Sequence, residues 1–492
     1  MIAAMIVAKA SYKGKTSRMT PPRLQILSLL SLLSLAGCAL TTPLPSLESG
    51  DVPESWTGPV VESSALWPQT DWWNSFGNPE LSSLVAQVRV SNFDLGNNER
   101  NLRNAQIALR EAGFNLVPTP SVTLGTGARY TETDFSGSSA SSSPNQPFDF
   151  GAGFSYNNIL SKPATFDRAV AGYESSVAQH AGTILNTLGT TASTYFQLLF
   201  TRDQIEVARQ NVANAEEIFD IVNAQVDAGV AVPINALNQQ IAIESQRANL
   251  RNLVQRDLAA RASLALLAGQ SVQDFEISGT TLQDIVVPTV QPGLPSDLLR
   301  RRPDLVQAEA ALRSADANVD IAYVNLFPQI SLTGNLNTSS VSLSELVASP
   351  DTVLNVSASL VQTLLDNGQR YRNLETQRLN LENALNNYRK AVIGAFNDVE
   401  VQLGNIQSLQ EQLAVAQRNL EAAEEAFRLA EVRYREGVAD YQTVLNSQNS
   451  LFATRNAFLN AKLGQLNAVV DFYQALGGGW ELPQRQGPTG VR

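Results

Sequence analysis

The chain has 492 residues, a formal charge of −11, and 43% hydrophobic against 16% charged residues. The acidic balance argues against a nucleic-acid partner. One cysteine, Cys38, and one histidine, His180, leave no internal disulfide and no Cys- or His-based metal cluster, so no metal or cofactor is expected.

Lys9, Lys13, Lys15, Arg18 and Arg23 precede an apolar run from Ile26 to Ala36. A bilayer span takes roughly 20 residues. The run is shorter, so residues 1–37 read as a secretory signal, with Met1 or Met19 as its start. Its end, Leu35-Ala36-Gly37-Cys38, is similar to the bacterial lipobox, which implies lipidation of Cys38. Ala39 after it, by resemblance to bacterial lipoproteins, implies the outer membrane. Residues 38–78 read as an extended tether, rich in Pro, Ser and Gly up to Pro68.

Helical patterning starts after Asn78-Pro79-Glu80 and runs as one stretch to about Phe114. Residues 121–133 then alternate with the strand period of two, as do 148–157, which predicts a hairpin with a polar tip at 134–147. A helix from about Ala164 to Val226 and a return helix from Pro233 to Leu267 complete a first unit, 79–270. Residues 271–295 are an irregular linker. A second unit, 296–476, repeats the plan: a helix to Val324, strands at 328–338 and 353–364, a helix from Gln369 to Glu436, and a return helix from Tyr441 to Leu476. Residues 477–492 are a tail.

The duplication is legible residue by residue. Asn211-Val212-Ala213-Asn214-Ala215-Glu216-Glu217 matches Asn419-Leu420-Glu421-Ala422-Ala423-Glu424-Glu425 at a shift of 208, and Gly229-Val230-Ala231 meets Gly437-Val438-Ala439 without a gap. From Leu385 through Val399, Leu413 and Phe427 to Tyr434, apolar residues recur every 3.5 residues, the coiled-coil period. Shifting by 208 places a softer seam through Tyr195, Ala208, Val212, Ala215, Phe219 and Val222. A helix of about 65 residues is about 100 Å long. It must bury its seam against its return helix and other subunits. Four amphipathic strands cannot stand alone in a membrane, since their edges would be unpaired. Several copies could close a barrel.

No catalytic constellation is present. Gly14-Lys15-Thr16 lacks the earlier glycine of a phosphate loop. His180 lies on the seam and reads as packed rather than as a base. Arg300-Arg301-Arg302 reads as a helix junction, with Pro303 opening the next helix.

Trp72-Trp73, Asn78-Pro79, Leu294-Pro295-Ser296-Asp297-Leu298-Leu299-Arg300-Arg301-Arg302-Pro303-Asp304-Leu305, Phe327-Pro328-Gln329-Ile330-Ser331-Leu332 and Arg433-Tyr434-Arg435-Glu436-Gly437 resemble TolC-like outer-membrane efflux channels, with OprM-like lipoproteins the nearer branch. The resemblance implies a mainly α fold with membrane β, in which a coiled-coil α-helical barrel joins a shared trimeric β-barrel. It implies a homotrimer in the outer membrane, a long periplasmic extension, a periplasmic membrane-fusion adaptor and an inner-membrane resistance-nodulation-division pump. No enzymatic activity is implied. It also places the entrance at the helix-joining turns, with Gly229, Val230, Gly437 and Val438 meeting the adaptor. Asn235, Asn238, Gln442, Thr443 and Asn446 are the candidate gate, all neutral where the family often has an Asp. Ahead of the first long helix, Asn158 to Pro163 departs from the Asp and aromatic-Gly pair expected there. The alternatives are a type I secretion-type channel, a lipid-anchored coiled-coil scaffold or adhesin, and a lipoprotein enzyme.

Overall fold

A computed structural model of the chain describes residues 56, 69–126, 148–289, 295–340, 351–478 and 480. Cys38, the signal, most of the tether, the end of the first expected strand at 127–133, the hairpin tip at 134–147 and the tail apart from residues 477, 478 and 480 lie outside these residues.

Asn78 opens the first helix, α1 (Pro79–Ser91), because its side chain accepts from the Leu81 N–H and Pro79 has no N–H to leave unpaired. Leu81, Leu84, Val85 and Val88 form its buried stripe. The single helix expected to Phe114 is broken at Asn92. There the backbone turns extended, and the side chain accepts from the N–H groups of Asp94 and Leu95, starting α2 (Phe93–Phe114). The Asn92 amide also donates to the Leu267 carbonyl, which fixes the break against the return helix.

Strands β1 (Thr119–Thr126), β2 (Phe148–Tyr156), β3 (Gln329–Ser340) and β4 (Asp351–Val361) form one antiparallel sheet in that order. Register puts Val122, Ala152, Leu336 and Leu354 in one row and Ser121, Gly153, Asn335 and Asn355 in the next. The sheet thus has an apolar face and a hydroxyl- and amide-bearing face. A Cβ on Gly153 would sit 2.5 Å from Asn335 Oδ1, so only glycine admits that amide. β4 stops at Val361, short of the expected 364. Asp366 gathers the following chain instead, accepting from the Gly368 N–H and from Arg370.

The long helices are α3 (Lys162–Asp227) and α6 (Gln369–Arg435), with return helices α4 (Pro233–Leu267) and α7 (Tyr441–Ala475); α5 (Pro303–Val324) precedes β3. One helical turn, Leu298–Arg301, leads into α5, and Pro303 opens that helix as expected. Arg302 locks the junction, bonding Asp304, Asp398 and the Ala475 carbonyl.

The duplication extends to single hydrogen bonds. Val230 and Ala231 both donate to the Gln225 carbonyl, and Val438 and Ala439 both donate to that of Arg433, at the same 208-residue shift. Asn158 and Asn367 both adopt φ 53°, so the divergent stretch before α3 keeps the turn of its counterpart. On α6 the expected seam is the observed one. Val392, Ala395, Val399, Leu403, Ala423, Phe427, Ala430 and Tyr434 are buried, with Ile406 to Leu420 half-buried between them. On the lower part of α3 the seam is rotated. Asn211 and Ile218 are buried where Val212 and Phe219 were expected, because α3 packs against α7 as well as its own return helix.

Three clusters hold the helices. A belt joins Trp72, Phe76 and Leu81 to Tyr195 and Phe196 of α3, Leu282 and Ile285 of the linker, and Leu466 of α7. Glu80 fastens the linker, accepting from Ser278 N and Oγ (both 2.6 Å), Gly279 N (2.9 Å) and Tyr195 Oη (2.8 Å). Burial opposes that charge, but the four donors outweigh it and hold its carboxyl below the usual range. A second cluster packs Val392, Phe396 and Val399 against Phe472 and Leu298, with the Trp56 ring 6.0 Å from Phe396. The third lies at the far end of the long helices. His180, on α3, faces α2, its Nδ1 2.9 Å from Asn98 Oδ1, a packing role.

Candidate functional site

Each long helix ends by the same chemistry. Gly229 and Gly437, at φ 71° and 72°, reverse the chain in the left-handed region that favours glycine. Nothing lies within 4 Å of where a Cβ would be on either. Val230 and Val438 follow, 79% and 71% exposed, so both turns present a bare apolar side chain to solvent.

The return helices begin differently. Asp440 caps α7, its Oδ1 accepting from Thr443 N (2.8 Å) and Thr443 Oγ1 (2.5 Å). The Thr443 hydroxyl first, then its N–H, hold the Asp440 carboxyl below its ordinary value. The equivalent residue before α4, Val232, offers no side-chain cap.

Four of the five gate candidates are exposed: Asn238, Gln442, Thr443 and Asn446. Asn235 is half-buried. Within α7 the Gln442 amide donates to Asn446 Oδ1 at 2.9 Å, so two of the neutral groups are paired inside one helix. Thr443 is committed to the cap.

Sequence reasoning missed the buried polar link behind these residues. Gln239, fully buried on α4, donates through Nε2 to the Ala215 carbonyl of α3 (2.8 Å) and accepts at Oε1 from Tyr441 Oη (2.7 Å). One amide therefore ties α3, α4 and α7 at the tip. Burial, then the nearby Tyr434, push the Tyr441 hydroxyl up to about 12, so it stays a donor at any physiological pH. The rings of Tyr434 and Tyr441 lie 6.4 Å apart, and Ile218, Val222, Phe427 and Val444 pack around them. Among the described residues no group of three or more His, Cys, Asp or Glu could hold a metal ion. The link holds the three helices together at the tip.

A family model described as Outer membrane efflux protein matches residues 84–270 and 294–478. The Pyoverdine export outer membrane protein OpmQ of Pseudomonas aeruginosa is 33% identical over 468 residues, 94% of this chain and 98% of that one. The probable outer membrane lipoprotein SilC of Salmonella typhimurium is 29% identical, covering 93% of this chain and 99% of its own length. The solved outer-membrane channel OprN superposes with a TM-score of 0.79 at 24% identity, over 90% of this chain and all of its own.

Proposed function

The chain belongs to the outer membrane efflux protein family and is a channel subunit of a tripartite efflux system, and from that premise we propose how it assembles and closes. It works as a homotrimer. The observation that carries this is the four-stranded sheet, apolar along one face and open at both edges. β1 and β4 run in opposite directions, so β4 of one copy can continue antiparallel onto β1 of the next. A membrane β-sheet must close on itself, and roughly eight strands is the smallest common barrel, more than one copy supplies. Exposed apolar residues on α4 (Ile234, Leu237, Ile241) and α6 (Val415, Leu429, Val432) suit burial between copies. Light scattering in mild detergent should give three times the chain mass; a monodisperse monomer would refute the assembly.

The mature N-terminus is lipidated at Cys38, which adds an outer-membrane lipid anchor to the barrel. The motif Leu35-Ala36-Gly37-Cys38 and the likeness to SilC support this. Cys38→Ser should abolish labelling by a radioactive fatty acid, and undiminished labelling would rule it out.

The turns at Gly229, Val230, Gly437 and Val438 meet the adaptor that links the channel to its inner-membrane pump. Their exposed valines support a hydrophobic contact. Asn235, Asn238, Gln442, Thr443 and Asn446 form the closing ring of the entrance through neutral hydrogen bonds, backed by the Tyr441–Gln239 link. Likeness to OpmQ, a pyoverdine export protein, supports a small organic cargo.

A further inference from the structure

Beside the belt, α3, α4 and α7 border an open groove of about 580 Å³, within the usual range for small-molecule sites. Its wall carries Ser193 and Gln197 from α3, Arg256 from α4, and Asn467 and Asp471 from α7. Two features set it apart from a wet helix surface. First, its charged groups are left unpaired, although Gln197, Thr194 and Ser263 on the same wall already make hydrogen bonds within the protein. Asn467 Oδ1 is buried without a hydrogen-bond partner. Arg256 and Asp471, which line the same groove, make no ion pair with each other or with any other described residue.

Second, the groove has a defined side. On α3 the belt takes most of the helix between Leu188 and Phe200, Phe196 and Leu198 included. Ser193 and Thr194, half-buried, and Gln197, exposed, form the strip it leaves open. The groove therefore opens on the side of the helix wall opposite the belt. In a ring of long helices the belt segments, with the whole linker among them, fit outside, and the opposite side faces the pore.

We propose that this groove is a cargo-contact subsite in the wall of the conduit, taking a peptide-like organic molecule whose carboxylate meets Arg256 and whose amine meets Asp471, while its amides bond Asn467, Gln197 and Ser193. The proposal rests on the channel reading above. A lone carboxylate facing an arginine is a poor cation site, and the polar wall offers little to an apolar solute. With three copies per channel, such subsites form a ring that cargo crosses by exchange of hydrogen bonds.

The test uses the full-length protein in planar bilayers, with triglycine as the probe. Millimolar triglycine should reduce the current. Blocking both charged ends by acetylation and amidation should weaken the effect about 25-fold, and Arg256→Gln or Asp471→Asn about fivefold each, the size expected for one partly exposed charge. Ser193→Cys, labelled with a bulky water-soluble thiol reagent, should lose conductance relative to the unmutated protein treated alike. Equal block in all three proteins, or a labelled Ser193→Cys channel that conducts like the control, would overturn the subsite. Conductance without block refutes the subsite alone; no conductance either in the unmutated protein or in Tyr441→Phe, whose tip link is broken, refutes the channel reading itself.

Discussion

α3 and α6 descend from one repeated unit, yet they bury their surfaces differently. α3 packs against α1, α2, α4, α5 and α7, and around Tyr195 to Thr201 it is buried on almost every side. α6 packs mainly against α5 and α7, and between Leu403 and Tyr434 only its 3.5-residue seam is covered. Phe196 is fully buried in the belt; its repeat counterpart, Gly404, is exposed with nothing near it. The same helix can thus serve as the pillar of a subunit or as a surface awaiting another. What differs is the side chain each repeat carries at the matching position.

That contrast can be broken at its strongest point. Phe196→Ala should destabilise the protein by about 3–5 kcal/mol, the usual range for emptying a buried aromatic site, seen as a large fall in the thermal midpoint in detergent. At the matching position Gly404→Ala should stabilise α6 by about 0.5–1 kcal/mol, because alanine is the better helix former. A loss instead of a gain there would mean that a neighbouring subunit approaches Gly404 closely.

The tip gives the next effect. Tyr441→Phe leaves the buried Gln239 Oε1 without its donor, a change of about 1–3 kcal/mol. Channel openings should become more frequent in bilayer recordings, and amide exchange near Ala215 and Gln239 should quicken. If both stay unchanged, the link does not restrain the tip. The repeat counterpart of Tyr441 is Pro233, which has no hydroxyl, so the asymmetry is confined to one turn.

The smallest effect concerns the caps. Asp440→Ala should loosen the start of α7, and Val232→Asp should tighten α4 by giving it the cap it lacks. Because the Asp440 pKa is lowered on folding, its contribution is complete above the ordinary aspartate value near 4 and is lost as the pH falls through the lowered one. Neutral pH should therefore leave the tip unaffected. Helix content followed during acid titration, wild type against Asp440→Ala, checks the sign.

What the sequence disclosed follows from which signals repeat. The α6 seam was legible to the residue because a 3.5 period over many turns has one solution. The α3 seam was inherited from α6 by the 208-residue shift, and it failed at Asn211 and Ile218, where packing against α7 changes the buried side. The break at Asn92 had a local sign, an Asn followed two residues on by Asp94, which the continuous apolar pattern masked. Gln239 and Tyr441 escaped because their repeat counterparts are Ser447 and Pro233. Comparing repeats draws attention to what is shared, and this link is made of what is not. The neutral character of the gate candidates is plain in the sequence, but the pairing of Gln442 with Asn446 depends on rotamers that composition does not encode.

The pairing of β2 with β3 has a consequence for how the chain is made. Each of its registered pairs, from Phe148 with Ser340 to Tyr156 with Leu332, joins residues separated by the whole α3–α4 hairpin, the linker and α5. The β1–β2 and β3–β4 hairpins are near neighbours in sequence and can form early. Their union must wait for a loop of that length to close, and such non-local pairing is slow. Until then both hairpins keep bare edges, the state most prone to aggregate. The slow step in biogenesis is therefore expected to be the zipping of β2 onto β3.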